Sequence, residues 1–157
     1  MFFRMIVNIQ EVPADSPEAV ELIGELDDHL MGHPYPPESR HAYSVEKLLR
    51  ERVVFFVTWY EERLAGCGGI KMFDTDYGEV KRMFVRPQFR GKGLGKAMLD
   101  RLAEYARSKG ATVLRLETGI YEVEAIGLYD GYGFRRRAPF GQYAADPNSV
   151  YFEKRID

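Results

Sequence analysis

The sequence predicts an α/β (α+β) fold in one domain spanning residues 1–157, and three observations predict it. The chain has 157 residues, a length that holds one core and leaves no room for a second independent one. Hydrophobic residues make up 45% and aromatic residues 13%, which sets the chain apart from disordered, charge-dominated sequences. Short β-branched and aromatic runs alternate with segments of helical period, and a glycine cluster stands at one strand-to-helix junction.

Phe3 to Gln10 reads as an outer or edge strand, since with Arg4 inside it the segment is too short and too charged for a signal peptide. Asp15-Ser16-Pro17-Glu18 starts a helix with a capping side chain and an early proline, and the helix runs to about Leu30. Gly32-His33-Pro34-Tyr35-Pro36-Pro37 cannot be regular, because each proline removes a donor and pushes the preceding residue toward extended conformations. A short helix near Ser44 to Glu51 precedes a hairpin made of Val53 to Tyr60, a turn at Glu61-Glu62 and a returning strand from Leu64 to Phe73. After the turn Asp74-Thr75-Asp76, apolar and charged residues alternate from Glu79 to Arg86 until Pro87 ends the ladder. Lys96 to Lys109, with apolar Leu94, Met98, Leu102 and Tyr105, carries a helical period closed by Gly110.

Acidic and basic residues nearly cancel, 24 against 22, so no net field argues for nucleic acid or an anionic membrane as the main partner. The single cysteine, Cys67, cannot form an intramolecular disulfide, which fits a reducing cytoplasm. No stretch approaches the run of about 20 apolar residues that spans a bilayer.

The chemistry concentrates in Gln88-Phe89-Arg90-Gly91-Lys92-Gly93-Leu94-Gly95. Closely spaced glycines let a backbone approach a ligand, and the N–H groups and positive dipole end of the following helix face an anion. Arg90, Lys92 and Lys96 add positive charge, so a pyrophosphate fits the seat. A solvated basic turn that merely caps a surface helix would read the same way in isolation. A P-loop is excluded, because Arg90 stands where its first glycine belongs and Ala97 follows Lys96. The dinucleotide fingerprint fails as well, with Lys96 in place of its last glycine.

The spacing Arg90-x-x-Gly93-x-Gly95 after Val85-Arg86-Pro87 resembles the acetyl-CoA loop of the GNAT N-acetyltransferase superfamily. Leu116-Glu117-Thr118-Gly119, then Ala125-Ile126-Gly127-Leu128-Tyr129 and Gly133-Phe134, resemble the family's next strand and helix, so the likeness covers about Leu64 to Phe134. Pro36-Pro37-Glu38-Ser39 with His41-Ala42, Pro139-Phe140-Gly141-x-Tyr143 and Asp146-Pro147-Asn148-Ser149 resemble segments of a bacterial subgroup.

The resemblance implies the GNAT acyl-CoA N-acyltransferase fold, a mixed, mostly antiparallel central sheet flanked by helices and splayed between strands 4 and 5, Glu79 to Pro87 and Thr112 to Thr118. Acetyl-CoA, as co-substrate, would lie in that gap. The backbone of Met83, Phe84 and Val85 would meet its pantetheine arm beside a bulge, and the segment Arg90, Gly91, Lys92, Gly93, Leu94, Gly95 and Lys96 would hold its phosphates. Tyr129 matches the family's general acid, a phenol of pKa about 10 that can protonate a leaving thiolate, or else anchors its ring in the core. Glu79 is the first candidate for the general base and Glu117 the second, each with an ordinary ion pair as the alternative. Glu122 stands where many relatives carry an amide that donates to the cofactor, which a carboxylate cannot do.

The acceptor site falls to the irregular segments, with His33, Tyr35, Glu38, Ser39 and His41 in front and Phe140, Tyr143, Asp146 and Ser149 behind. Mixed aromatic and acidic groups suit a small cation. His33, His41 and Glu38 lack an established ligand spacing, so no metal is expected. The expected activity is acetylation of a primary amine of a small molecule or amino acid by direct attack in a ternary complex. A non-catalytic acetyl-CoA-binding regulatory module and a protein lysine or N-terminal acetyltransferase are the alternatives. An edge strand, or the C-terminal strand Val150 to Ile156, would be the surface for a homodimer.

Overall fold

The computed structural model describes residues 6–157. Strand β1 runs Val7–Val12, two residues past the expected Gln10, and Phe3, Arg4 and Met5 of the expected strand lie outside the described residues. The other strands are β2 (Val54–Tyr60), β3 (Arg63–Phe73), β4 (Tyr77–Val85), β5 (Val113–Gly119), β6 (Arg135–Arg137) and β7 (Ser149–Arg155). They form one seven-stranded sheet in the order β1-β2-β3-β4-β5-β7-β6. Every neighbouring pair is antiparallel except β4 and β5. Those two pair in parallel only at Gly78↔Leu114 and Glu79↔Arg115, and then part. Strand β7, the expected dimer surface at the C-terminus, is paired on both sides, which leaves β1 and β6 as the edges.

Helix α1 (Pro17–Met31) starts where the Ser16 side chain accepts from the Ala19 N–H at 3.3 Å, with proline in the first turn. Ser44 caps the short α2 (Val45–Arg50) in the same manner. Helix α3 (Leu94–Ser108) is followed by Gly110 at φ +88°, and α4 (Val123–Tyr132) by Gly133 at φ +105°, both in the left-handed conformation that ends helices.

Strand alternation divides the core into two layers. Phe55 and Val57 pack against Leu22, Ile23, Leu26 and Leu48 of α1 and α2. Phe56 between them points the other way, to Met98, Leu99 and Leu102 of α3. The same period of two fixes the site. Val80, Leu114 and Leu116 belong to the α3-side cluster, which turns Glu79, Lys81 and Glu117 to the opposite face. Tyr129 of α4 belongs to the α3-side cluster, across the sheet from those carboxylates, and the β4–β5 pairing ends at Glu79↔Arg115.

A bulge interrupts β4 as expected. Cys67↔Phe84 is followed by Gly69↔Lys81, so β4 carries one extra residue there, and Arg82 takes φ +55°. The Cys67 thiol donates to the Arg82 carbonyl at 3.3 Å, and the Arg82 guanidinium bonds Asp27 and the Ile23 carbonyl of α1. The bulge is thus pinned to α1 as well as to β3.

Candidate active site

A cleft of about 910 Å³ opens where β4 and β5 part. Its floor at one end is the glycine segment. Gly91 and Gly93 have φ of +78° and +76°, and a Cβ built on either would meet nothing within 4 Å. Their need for glycine is therefore conformational, and open space lies above them. Gly93 is the N-cap of α3, whose first bond across this end runs from Ala97 N–H to the Gly93 carbonyl. The N–H groups of Leu94, Gly95 and Lys96 have no partners within the helix, and these residues line the cleft. Gly95 has a second role, because its Cβ would sit 2.7 Å from Leu128 Cδ2, so its absence lets α4 approach α3. Arg90 lines the cleft and pairs with Glu124 of α4 at 2.6 Å. Lys92 is not among the lining residues, and its ammonium lies 5.2 Å from the Tyr60 ring centroid.

Met83, Phe84 and Val85 form the adjoining wall. Phe84 and Val85 pair with Cys67 and Gly66 of β3, while beyond Glu79 no β5 residue pairs with β4. The β4 backbone edge toward the cleft is thus without a strand neighbour, a position open to a ligand's amide groups.

Glu79, Glu117 and Tyr129 all line the cleft, in different electrostatic states. Glu79 is ion-paired with Lys81 at 2.6 Å and accepts from the Tyr143 hydroxyl at 2.7 Å, while Lys81 also donates to Tyr143 at 3.0 Å. Burial pulls Lys81 below the usual ammonium range, against the opposing field of Glu79. Glu117 has no ion pair among the described residues. Burial pushes it up to about 7, although the Ser149 hydroxyl, donating at 2.7 Å, pulls the other way. Tyr129 is 4% exposed, with its ring edge-on to Phe134 at 5.6 Å and tilted against Phe152 at 5.8 Å. Burial, reinforced by Glu117 and Glu122, raises its phenol above the ordinary tyrosine value.

The two irregular segments meet over this cleft. His41 lies edge-on to Tyr143 at 5.2 Å, and burial lowers its pKa. Ser39, itself buried, accepts from Asn148 Nδ2 at 3.3 Å and so joins the front segment to the back one. His33 and Tyr35 line the cleft but serve a different cluster. The Tyr35 hydroxyl donates to Glu122 at 2.7 Å and accepts from the Tyr121 N–H at 2.9 Å, so both its roles are filled within the protein. Gly119 is required there, since its Cβ would lie 2.1 Å from that hydroxyl oxygen. Glu38, Phe140, Asp146 and Ser149 are not among the lining residues. Phe140 packs on Tyr77, Tyr143 and Tyr151, Asp146 accepts from the Asn148 N–H, and Ser149 acts through Glu117.

The lining residues that carried no motif include His29, Arg40, Tyr43 and Lys81. Arg40 donates to the carbonyls of Leu30 and His33 and shapes the proline segment. Lys81 had one signal, its place two residues after Glu79 and hence on the same strand face.

Parted strands beside a glycine-opened helix N-terminus are the architecture of acyl-CoA N-acyltransferases, and the comparisons agree. The sequence profile of the acetyltransferase (GNAT) family matches residues 20–134. An IAA acetyltransferase of Azospirillum brasilense is 44% identical over 137 residues, 86% of this chain and 88% of its own length. A Klebsiella pneumoniae structure assigned as an acyl-CoA N-acyltransferase superposes with a TM-score of 0.81 at 31% identity, over 97% of this chain and 99% of its own. The PaiA N-acetyltransferase of Thermoplasma acidophilum, solved with coenzyme A, shares the fold with a TM-score of 0.75 at 21% identity, over 96% and 99%. This chain belongs to the GNAT acetyltransferase family, and its enzyme class is acetyl-CoA-dependent N-acetyltransferase.

Proposed function

We propose that the protein acetylates a primary amine of a small molecule or amino acid, by direct attack in a ternary complex with acetyl-CoA. The observation that carries this reading is the place of Glu117, a half-buried carboxylate with no ion pair among the described residues and a pKa pushed up to about 7 by desolvation, in the same cleft as Tyr129. The residues present fit the co-substrate: Gly91 and Gly93 leave an open seat over the α3 N-terminus, and Arg90 and Lys96 stand beside it. Bound there, acetyl-CoA supplies an acetyl group activated as a thioester.

The protein's own groups do the rest. The β4 edge at Met83, Phe84 and Val85 orients the pantetheine arm through backbone hydrogen bonds. Glu117 takes the proton of the incoming ammonium, a task suited to a base poised near the working pH. Glu79, first choice from sequence, is already engaged by Lys81 and Tyr143, which favours Glu117 for this step. Tyr129 gives a proton or hydrogen bond to the leaving thiolate. His41 and Tyr143 form the acceptor wall. Direct attack is supported by Cys67, which is 1% exposed on the α1 side with its thiol pushed up by burial to about 12, a poor nucleophile for an acyl-enzyme. A free, buried cysteine also suits our reading of residues 1–157 as one cytoplasmic domain. Among the described residues no helix is long and apolar enough to cross a membrane.

The test is acetyl-CoA titration by calorimetry, paired with free-thiol release over amino acids, polyamines and aromatic amines. Saturable binding with amine-dependent thiol release is expected. Binding without release on any small amine would overturn the small-molecule reading in favour of a regulatory module or a protein acceptor.

A further inference from the structure

We propose that His29, His33 and Glu122 form a binding site for one divalent transition-metal ion of the zinc class at the rim of the cleft. The three come from separate places in the chain: the last turn of α1, the segment that follows it, and the N-cap of α4. Their ligand atoms all lie within 4.8 Å of one another. His29 Nε2 stands 2.9 Å from Glu122 Oε1 and His33 Nε2 3.9 Å from Glu122 Oε2, so the two imidazoles approach opposite oxygens of one carboxylate. Tetrahedral zinc with bonds of about 2.0–2.1 Å separates its ligand atoms by roughly 3.3 Å, so the cluster would close modestly around an ion that takes one atom from each residue.

Two histidines with one glutamate is a ligand set that holds zinc with a fourth position open. All three residues line the cleft, so the open position faces it. The outer contacts resemble those that orient metal ligands. Tyr35 donates to Glu122 Oε2, and Gly119 leaves room for that hydroxyl. His33 is stacked on Tyr121 at 5.7 Å with an interplanar angle of 13°, and edge-on to His29 at 5.3 Å. The site also gives Glu122 a purpose, because an amide at this position would bring no charge to a cation. A bound ion would join the end of α1 and the proline segment to α4, and so fix the mouth of the acceptor site. The proposal stands on this cluster alone and does not depend on the identity of the acceptor amine.

The experiment uses tag-free full-length protein, stripped with chelator and titrated with zinc by calorimetry and with cobalt(II) by visible absorption. One equivalent per chain is expected, with the strong ligand-field bands of a four-coordinate cobalt site and a rise in the thermal midpoint on zinc addition. His33→Ala and Glu122→Gln should each weaken zinc at least about tenfold and abolish the cobalt bands. His41→Ala, which removes a cleft histidine outside the cluster, should bind as the parent does. No saturable binding by the parent protein, or equal binding by His33→Ala and the parent, would overturn the proposal. Circular dichroism of each variant separates loss of a ligand from loss of the fold.

Discussion

Lys81 and Glu79, two residues apart on β4, form an ion pair of 2.6 Å, with side chains only 7% and 4% exposed. Tyr143 closes the triangle by hydrogen bonding to both. Removing one partner of a buried pair leaves an uncompensated charge, which costs about 3–5 kcal/mol. Lys81→Met should therefore be strongly destabilised in urea unfolding, and Lys81→Met/Glu79→Gln should recover most of the loss. Equal stability of the single and double variants would show that the pair is not coupled.

Glu117 makes a prediction for activity and one for stability. As the base it works when deprotonated, so kcat/KM should rise through about pH 7, and Glu117→Gln should lose that limb and about 10²–10⁴-fold in rate while still binding acetyl-CoA. For stability the sign is opposite. Its folded pKa is raised, so the folded state holds the proton more tightly. The contribution is full below the ordinary carboxylate value and is lost as pH rises through about 7, up to about 3 kcal/mol. Parent stability should fall across that window more than that of Glu117→Gln.

Gly93 and Tyr129 separate binding from turnover. Gly93→Asp places a side chain at φ +76° and a negative charge on the α3 N-terminus, so acetyl-CoA affinity should be lost. Tyr129→Phe keeps the ring packing on Phe134 and Phe152 and should lower kcat while largely sparing affinity. Equal loss of affinity in both variants, read by calorimetry, would contradict these separate roles.

Tyr35 ties the proline segment to the start of α4. Tyr35→Phe deletes the bonds to Glu122 and from the Tyr121 N–H, and should cost about 1–3 kcal/mol in denaturant unfolding. A change in the acceptor's KM with stability intact would instead return Tyr35 to the substrate-binding role that its loop position suggested.

The elements were legible because their signals are local. Ser16-Pro17 starts a helix, Pro87 stops a strand, and Gly91 and Gly93 mark backbone that only glycine adopts readily, whatever packs around them. The family likeness over about Leu64 to Phe134 was enough to place the parted strands. The β4 bulge, too, fell where the likeness put it.

What the local signals did not carry was which charges pair. Glu79 and Glu117 look alike as strand carboxylates, yet one is ion-paired with Lys81 and bonded by Tyr143 while the other accepts from Ser149. Tyr35 and Glu122 are 87 residues apart, and His29 and Glu122 are 93, so nothing near either residue announces the contact. Sequence by itself determined the elements, the glycine seat and the family, since these follow from backbone preferences and short spacings. Only the tertiary structure decided which carboxylate meets Lys81, that the Tyr35 hydroxyl bonds Glu122, and that two histidines approach one glutamate. Burial and long-range charge arise only when distant segments are packed together, and they set the protonation state of each group.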